Sequence, residues 1–212
     1  MVAFVAMLVG GSVAVVSNWR TAAAADLKSW PLSVAVVGDS MTAGAANRVV
    51  WPTLLAQRTG WAVGNFALPD AGFVADGIGG HAFRYQVERA EQMHPQIFVL
   101  FAGGVGDAAY GWTGAIGAAV ADSIDKIKRT GQRIFVVGPT WYGPNVPIAI
   151  SAVSDEIQKA AEKAGVPFLN ALKPPWLNPS LMQPNLSGPN DKGQSVIADN
   201  VAAWLRAEVI AS

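Results

Sequence analysis

Asp39 and Ser40 are the residues whose types and position most clearly suit chemistry. They follow residues 33–37, Ser-Val-Ala-Val-Val, and Gly38. A short Val-rich run of this kind is typical of a strand buried in a parallel sheet. Ligands of open α/β sheets bind just beyond the carboxyl ends of the strands, so the Ser40 hydroxyl is predicted to lie at a functional edge. The simpler interpretation is that both residues only cap the following helix.

The segment around Ser40 resembles block I of the GDSL/SGNH hydrolases, in which the serine is the nucleophile. It is not a Gly-x-Ser-x-Gly elbow, because Thr42 stands at the second glycine. The resemblance implies that the Ser40 backbone amide donates to the oxyanion of an ester intermediate. Residues 65–72, Asn-Phe-Ala-Leu-Pro-Asp-Ala-Gly, resemble block II and imply the Gly72 amide as a second donor. An ordinary loop glycine remains the alternative at Gly72.

Three positions depart from the pattern of this family. Its block III reads Gly-x-Asn-Asp, whereas residues 103–107 read Gly-Gly-Val-Gly-Asp, which puts Gly106 at the asparagine. Its block V reads Asp-x-x-His, whereas residues 185–189 read Asn-Leu-Ser-Gly-Pro, which puts Asn185 at the aspartate and Gly188 at the histidine. Glycine supplies no base, and a neutral amide cannot stabilise an imidazolium as a carboxylate does. The expected activity is therefore weak or absent.

His81 is the candidate for a substitute base, because it follows two glycines in the loop after the second predicted strand. Asp70 and Asp76 in the same loop could assist it, and an exposed residue at a helix start is the alternative for His81. Aromatic side chains at this edge suit sugar rings or acyl chains, although simple lids over the strand ends explain them equally well. Asp107 is expected to cap a loop. The residues expected to contribute to ligand binding are Asp39, Asp107, Trp141 and Trp176.

The composition excludes several functional classes. The chain has 212 residues, which suits one domain. Its formal net charge is zero, so the sequence predicts no nucleic-acid partner. It contains no cysteine, which excludes disulfides, a thiol nucleophile and a Cys-ligated zinc site. Two separated histidines and scattered carboxylates form no ligand cluster, so no metal and no cofactor are predicted.

The amino-terminal segment has the composition of a targeting sequence. Residues 2–17 are almost wholly apolar, and Arg20 and the tetra-alanine of residues 22–25 follow. Residues 1–25 are therefore predicted to be a signal peptide or an uncleaved membrane anchor, with membrane association through residues 2–17. An ordinary core helix is the third interpretation. Either of the first two makes the domain of residues 30–212 secreted or part of the cell envelope.

The rest of the chain alternates strand and helix patterns, which predicts a single doubly wound α/β/α sandwich. Its sheet is expected to have five parallel strands, as in flavodoxin-like and SGNH-hydrolase-like folds. The loops that follow the strands then share one edge of the sheet, and that edge carries Ser40. The predicted strands are 33–37, 61–66, 97–101, 133–137 and 166–169, and the predicted helices cover about 49–58, 82–93, 113–129, 148–163 and 191–209.

These observations lead to one favoured function and two alternatives. The favoured one is an exported hydrolase-like protein of the cell envelope, weak or inactive as an enzyme, whose pocket suits a small acyl-ester or carbohydrate-ester ligand. The first alternative is an active ester hydrolase in which His81 serves Ser40. The second is a flavodoxin-like module that holds phosphate or another anion at the start of the helix after Ser40.

Overall fold

The structure is a computed structural model that describes residues 31–110 and 113–210. Short apolar runs in which valine, isoleucine and phenylalanine are frequent form most of its strands. The strand Ile97–Phe101 is buried at every position, as expected for the centre of a parallel sheet. The strands are β1 (Ser33–Gly38), β2 (Ala62–Asn65), β3 (Ile97–Phe101), β4 (Arg133–Val137) and β5 (Phe168–Leu169).

Helices follow the strands along the chain, and two of them are short. The first, α1, is a four-residue helix directly after β1. The helices are α1 (Ser40–Ala43), α2 (Trp51–Thr59), α3 (Phe83–Glu91), α4 (Val105–Tyr110), α5 (Thr113–Lys128), α6 (Ile148–Lys163) and α7 (Asp191–Ile210), with a 3₁₀ turn at Pro179–Leu181.

All pairings in the sheet are parallel, and the strand order is β2-β1-β3-β4-β5. Val36 of β1, for example, lies opposite Asn65 of β2 and Val99 of β3. The chain changes direction across the sheet between β1 and β3, and open α/β sheets bind ligands in the crevice at such a point. Ser40 lies two residues after the end of β1, so the topology places it beside this crevice.

Each face of the sheet carries its own apolar core. One core joins alternate strand residues such as Val37 and Leu100 to α3, α5 and α6. The other joins Val36, Val99 and Phe101 to α2 and α7. Because strand side chains alternate between the two faces, the same five strands support both layers. The predicted five-stranded parallel sheet with helices on both faces is confirmed.

The differences from the predicted elements lie mostly at their ends. Strand β5 has only two residues instead of four, and β2 is one residue shorter at each end. Helix α4 falls where the Gly-rich sequence predicts a loop. The predicted leader of residues 1–25 lies outside the described residues. None of the described helices is both long and apolar enough to cross a membrane.

Candidate active site

Ser40 is the first residue of α1, and buried polar side chains fix this short helix. The carboxylate of Asp39 accepts the backbone N–H of Met41 at 2.9 Å and so caps the helix. The side chain of Gln194 donates to the Met41 carbonyl at 3.1 Å and accepts the Trp51 amide at 2.8 Å. The chain around the serine is therefore tied to both α2 and α7, and the predicted capping role of Asp39 is present.

The Ser40 hydroxyl is hydrogen-bonded to Asp70 in two ways. It donates to Oδ1 of the Asp70 carboxylate at 2.9 Å, and it accepts the backbone N–H of the same residue at 2.8 Å. The sequence suggested Asp70 only as an assistant to a histidine in the same loop. The structure instead puts its carboxylate and its amide directly on the serine oxygen.

Asp70 adopts a backbone conformation that brings its amide to this position. Its φ is 60°, in the left-handed region, which aspartate and asparagine adopt more readily than most residues. The amide of Gly72, which was expected to face the oxyanion, donates to the Ala75 carbonyl at 2.8 Å. The loop therefore uses the Gly72 amide internally, where it does not face an oxyanion as expected, and the amide that meets the Ser40 hydroxyl is that of Asp70.

Asp107 holds this loop in place and is itself buried. Its carboxylate accepts the amides of Phe73, Val74 and Ala75 at 2.8 to 3.0 Å. A side chain at Gly72 would collide with it, because a Cβ built there lies 2.3 Å from Oδ1 of Asp107. The loop-capping role is the one expected from the sequence. The expected ligand-binding role is corrected, because the carboxylate faces backbone amides inside the protein.

Gly106 stands where the family resemblance implies an asparagine donor, and the structure leaves little space there. A Cβ built on Gly106 lies 2.9 Å from the Asp70 carbonyl oxygen and 3.1 Å from Cβ of Ala75. The loop after β2 therefore packs directly on the glycine. No side-chain amide reaches Ser40 from position 106, and carbonyl oxygens, which are hydrogen-bond acceptors, face that position instead.

Gly188 lies beside the serine, although its sequence distance is large. Among the described residues other than its chain neighbours, a Cβ built on it meets only the Ser40 carbonyl oxygen, at 3.8 Å. The turn before it is closed by Asn185, whose side-chain oxygen accepts the amide of Ser187 at 3.1 Å and its hydroxyl at 2.7 Å. The structure thus brings position 188 next to the Ser40 backbone, with no side chain there.

The loop that carries Gly188 is fastened to the chain after α1. The side chain of Asn47 donates to the Pro189 carbonyl at 3.0 Å and to the Asp191 carboxylate at 3.2 Å. These bonds join the loop before α7 to the loop before α2. The closeness of Gly188 to Ser40 therefore has a structural cause that the sequence pattern alone does not reveal.

His81 is not a partner of Ser40 in the structure. Its ring is exposed and lies against Tyr85, with 6.5 Å between the ring centroids, and its backbone amide donates to Asp76. The hydroxyl of Ser40 bonds to Asp70 instead. The alternative interpretation of His81, an exposed residue near a helix start, describes its environment in the structure, and its role as a substitute base stays a prediction.

The two expected binding tryptophans are both half-buried. Trp141 stacks on Tyr142 with centroids 4.7 Å apart, in the loop after β4. Trp176 packs against the core formed with α2 and α7. Trp141 therefore remains a candidate contact for a ligand at this edge, whereas Trp176 contributes to the core.

Burial raises the pKa of Asp39 to about 7 from its ordinary 3.8, and the nearby Asp107 carboxylate adds to the rise while the Met41 amide opposes it. The carboxylate is crowded against the backbone, since a Cβ built on Gly103 would lie on top of it. Gly103 follows β3, so Asp39 packs across the crevice between β1 and β3. This packing buries the Asp39 side chain, and its predicted role in ligand binding stays a prediction.

The raised pKa predicts how stability depends on pH. Between about pH 4 and pH 7 the unfolded chain has released the Asp39 proton while the folded chain keeps it, so the free energy of unfolding falls as pH rises through this window. Each pKa unit corresponds to about 1.4 kcal/mol. In the wild type, the free energy of unfolding measured in urea is expected to fall by a few kcal/mol between pH 4 and 8. Asp39→Asn, which preserves the cap, is expected to abolish this fall. Asp155→Asn, at an exposed carboxylate on α6, serves as control, and an equal pH slope in Asp39→Asn and wild type would contradict the assignment.

Chemically, the site presents a serine hydroxyl with a carboxylate partner and no imidazole. A carboxylate is a weaker base than the imidazole that usually activates a serine. Among the residues that the structure describes, no three His, Cys, Asp or Glu side chains are grouped as a metal site. A cleft of about 460 Å³ lies between α5 and α6, and Ser40, Asp70 and Gly188 are not among the residues that line it.

Comparison with known proteins agrees with this architecture. The sequence model of the GDSL-like lipase/acylhydrolase family matches residues 36–196. No curated protein matches the chain by sequence. Among solved structures, a protein from Lactobacillus plantarum superposes with a TM-score of 0.69 at 16% identity, covering 84% of this chain and 98% of its own.

Two further structures carry functional descriptions. The psychrotrophic esterase EstA from Pseudoalteromonas sp. has a TM-score of 0.65 at 16% identity, over 83% of this chain and 97% of its own. A GDSL-like lipase from Bacteroides thetaiotaomicron has a TM-score of 0.62 at 15% identity, over 82% of this chain and 88% of its own. At these identities the likeness shows the fold, and the family match covers most of the chain. The protein therefore belongs to the GDSL-like lipase/acylhydrolase family.

Proposed function

We propose that this protein is a member of the acylhydrolase family that binds an acyl or glycan ligand at the Ser40 edge without turning over esters at the rate of its active relatives. The observation that carries the proposal is the environment of the Ser40 hydroxyl. Its hydrogen bonds go to Asp70, and the position that faces its backbone carbonyl is Gly188. An acyl-enzyme requires a base that takes the hydroxyl proton and later returns it to the leaving group, and glycine offers none.

The distribution of exposed apolar side chains supports a ligand with an acyl part. Ile78 is 72% exposed and Ile148 is 89% exposed, and both lie in segments that follow carboxyl ends of strands, as Ser40 does. Exposed apolar side chains near a candidate site are typical of surfaces that contact ligands or lipids. The exposed large apolar residues in such segments are Ile78, Tyr85, Val105, Ile148 and Leu186.

The proposal includes location. Residues 2–17 are almost wholly apolar, and a leader of this kind directs export or tethers a domain to a membrane. We propose that the domain works outside the cytoplasm, secreted or held at the cell envelope. The ligand is then an acylated or glycosylated compound of that compartment, and the proposal involves no nucleic acid and no cofactor.

The proposal is tested by ester turnover. Purified wild-type protein is expected to hydrolyse short-chain nitrophenyl esters no faster than its Ser40→Ala variant, because the hydroxyl lacks an imidazole partner. The measurement is initial rate over a range of substrate concentrations and from pH 6 to 9. A rate in the wild type that disappears in Ser40→Ala would show an active hydrolase and overturn the proposal. His81→Ala then separates the two candidate bases: loss of that rate would identify His81, and an unchanged rate would point to Asp70.

A further inference from the structure

The Ser40 site has lost hydrogen-bond donors and gained acceptors relative to the set that the family resemblance implies. The implied donors are the amides of Ser40 and Gly72 and the side chain of an asparagine. The Gly72 amide is bonded to Ala75, and position 106 is a glycine faced by the Asp70 carbonyl oxygen. The amide of Asp70 is bonded to the serine oxygen. An ester oxyanion would therefore find few of the donors that stabilise it.

The carboxylate of Asp70 adds negative charge at the same place. Its Oδ1 atom lies 2.9 Å from the serine oxygen, so any group that contacts Ser40 also lies close to this carboxylate. Asp70 is exposed to solvent, so a ligand that contacts Ser40 can also approach this carboxylate. Like charges at this separation repel each other, and a hydrogen-bond donor, above all a charged one, is attracted.

We propose that Asp70 determines ligand specificity: the polar group that meets Ser40 is a hydrogen-bond donor, an ammonium or a hydroxyl group, and carboxylates and phosphates are excluded. This inference rests on the proposed function, because it assigns the polar end of the ligand whose apolar end contacts the exposed side chains of the same edge. The chain has zero formal net charge, so a preference for cations arises from the local site rather than from the protein as a whole.

The position of Asp70 is built into the fold. The Asp107 carboxylate fixes residues 73–75, which lie in the same loop as Asp70, by accepting their three backbone amides. The bridge between Ala71 and Asp76 closes the same loop. Asp70 itself is held by its own amide on Ser40. The carboxylate is thus held over the hydroxyl before any ligand arrives, as a specificity-determining group must be.

The test compares ligands that share one apolar tail. Binding of octylammonium, octanoate and octyl glucoside to wild-type protein is measured by tryptophan fluorescence and calorimetry at pH 8 and low salt, below the micelle concentration of each. We expect octylammonium or octyl glucoside to bind at least tenfold more tightly than octanoate. The tighter of the two shows whether the polar end is an ammonium or a hydroxyl group.

Two variants make the test specific. Asp70→Asn keeps the side-chain shape and a residue type that accepts a left-handed φ. In this variant, the ratio by which octylammonium or octyl glucoside binds more tightly than octanoate is expected to fall at least fivefold. Asp76→Asn removes an exposed charge from the same loop and is expected to keep the preference. Equal binding of octanoate by the wild type, an unchanged preference in Asp70→Asn, or no saturable binding of any of the three would overturn the inference. Ester turnover by the wild type would overturn the proposed function. The role of Asp70 in ligand specificity is decided by the binding ratios of the wild type and the two variants.

Discussion

Ester hydrolysis is expected to appear when Asn185→Asp and Gly188→His are introduced together. A Cβ at position 188 has room, since the one atom within 4 Å that belongs to a described residue other than its chain neighbours is the Ser40 carbonyl oxygen, at 3.8 Å. We expect a histidine at this position to reach toward the hydroxyl. A general base contributes about 10²–10⁴-fold to such reactions. We expect the rate with short nitrophenyl esters to rise about 100-fold over wild type, with loss of the gain in a further Ser40→Ala variant.

The matched control combines Asn185→Asp with Gly188→Gln, which fills similar space without a base. No gain is expected from it. If the histidine and glutamine variants behave alike while both remain folded, position 188 is not where a base can serve Ser40. Because the Asp70 carboxylate opposes an oxyanion at the same place, adding Asp70→Asn to the histidine variant is expected to raise the rate further.

Asp107→Ala is expected to cause the largest loss of stability among single substitutions near the site. The carboxylate accepts three backbone amides, two of them in buried residues. A buried donor left without an acceptor costs about 1 to 3 kcal/mol. We expect the free energy of unfolding, measured in urea, to fall by about 3 to 5 kcal/mol, and Asp70 to lose its fixed position over Ser40.

Asp122→Ala provides the comparison for this substitution. Asp122 is an exposed aspartate on α5, where substitutions usually change stability by less than about 0.5 kcal/mol. Asp107→Asn is expected to fall between the two, because its amide keeps one acceptor oxygen and turns a donor toward the backbone amides. Equal stabilities of Asp107→Ala and Asp122→Ala would show that the loop does not depend on this carboxylate.

The strands and long helices were predictable because their apolar periodicity depends on burial alone. Strand β3, strand β4 and helix α6 begin and end where the sequence indicates. Strand β5 is shorter than its apolar run, since it lies at the edge and pairs with β4 over only two residues. Helix α4 was missed because residues 103–106 contain three glycines, which lower helix propensity; the helix begins only at Val105.

The site was only partly predictable, because its contacts come from loops. The position of Ser40 at the edge of the sheet was predictable from the strand before it. The place of Gly188 in the site was predictable from the spacing of residues 185–189. The contact of Asp70 with Ser40 depends on the path of the loop after β2, and nothing in hydrophobic periodicity encodes that path. The available signal was weak: an aspartate after a proline, in a loop whose amides would need an acceptor. Asp107 supplies that acceptor from 32 to 34 residues away.

We expect the Ser40 hydroxyl, which has a carboxylate partner but no imidazole base, to form no covalent adduct with serine-reactive phosphonylating reagents. The most direct test of this central claim is intact-mass measurement after incubation with a fluorophosphonate, using wild type, Ser40→Ala and the Asn185→Asp/Gly188→His variant. The account predicts no added mass on wild type or Ser40→Ala, and stoichiometric labelling of the histidine variant. Rapid labelling of wild-type protein at Ser40, abolished in Ser40→Ala, would contradict it.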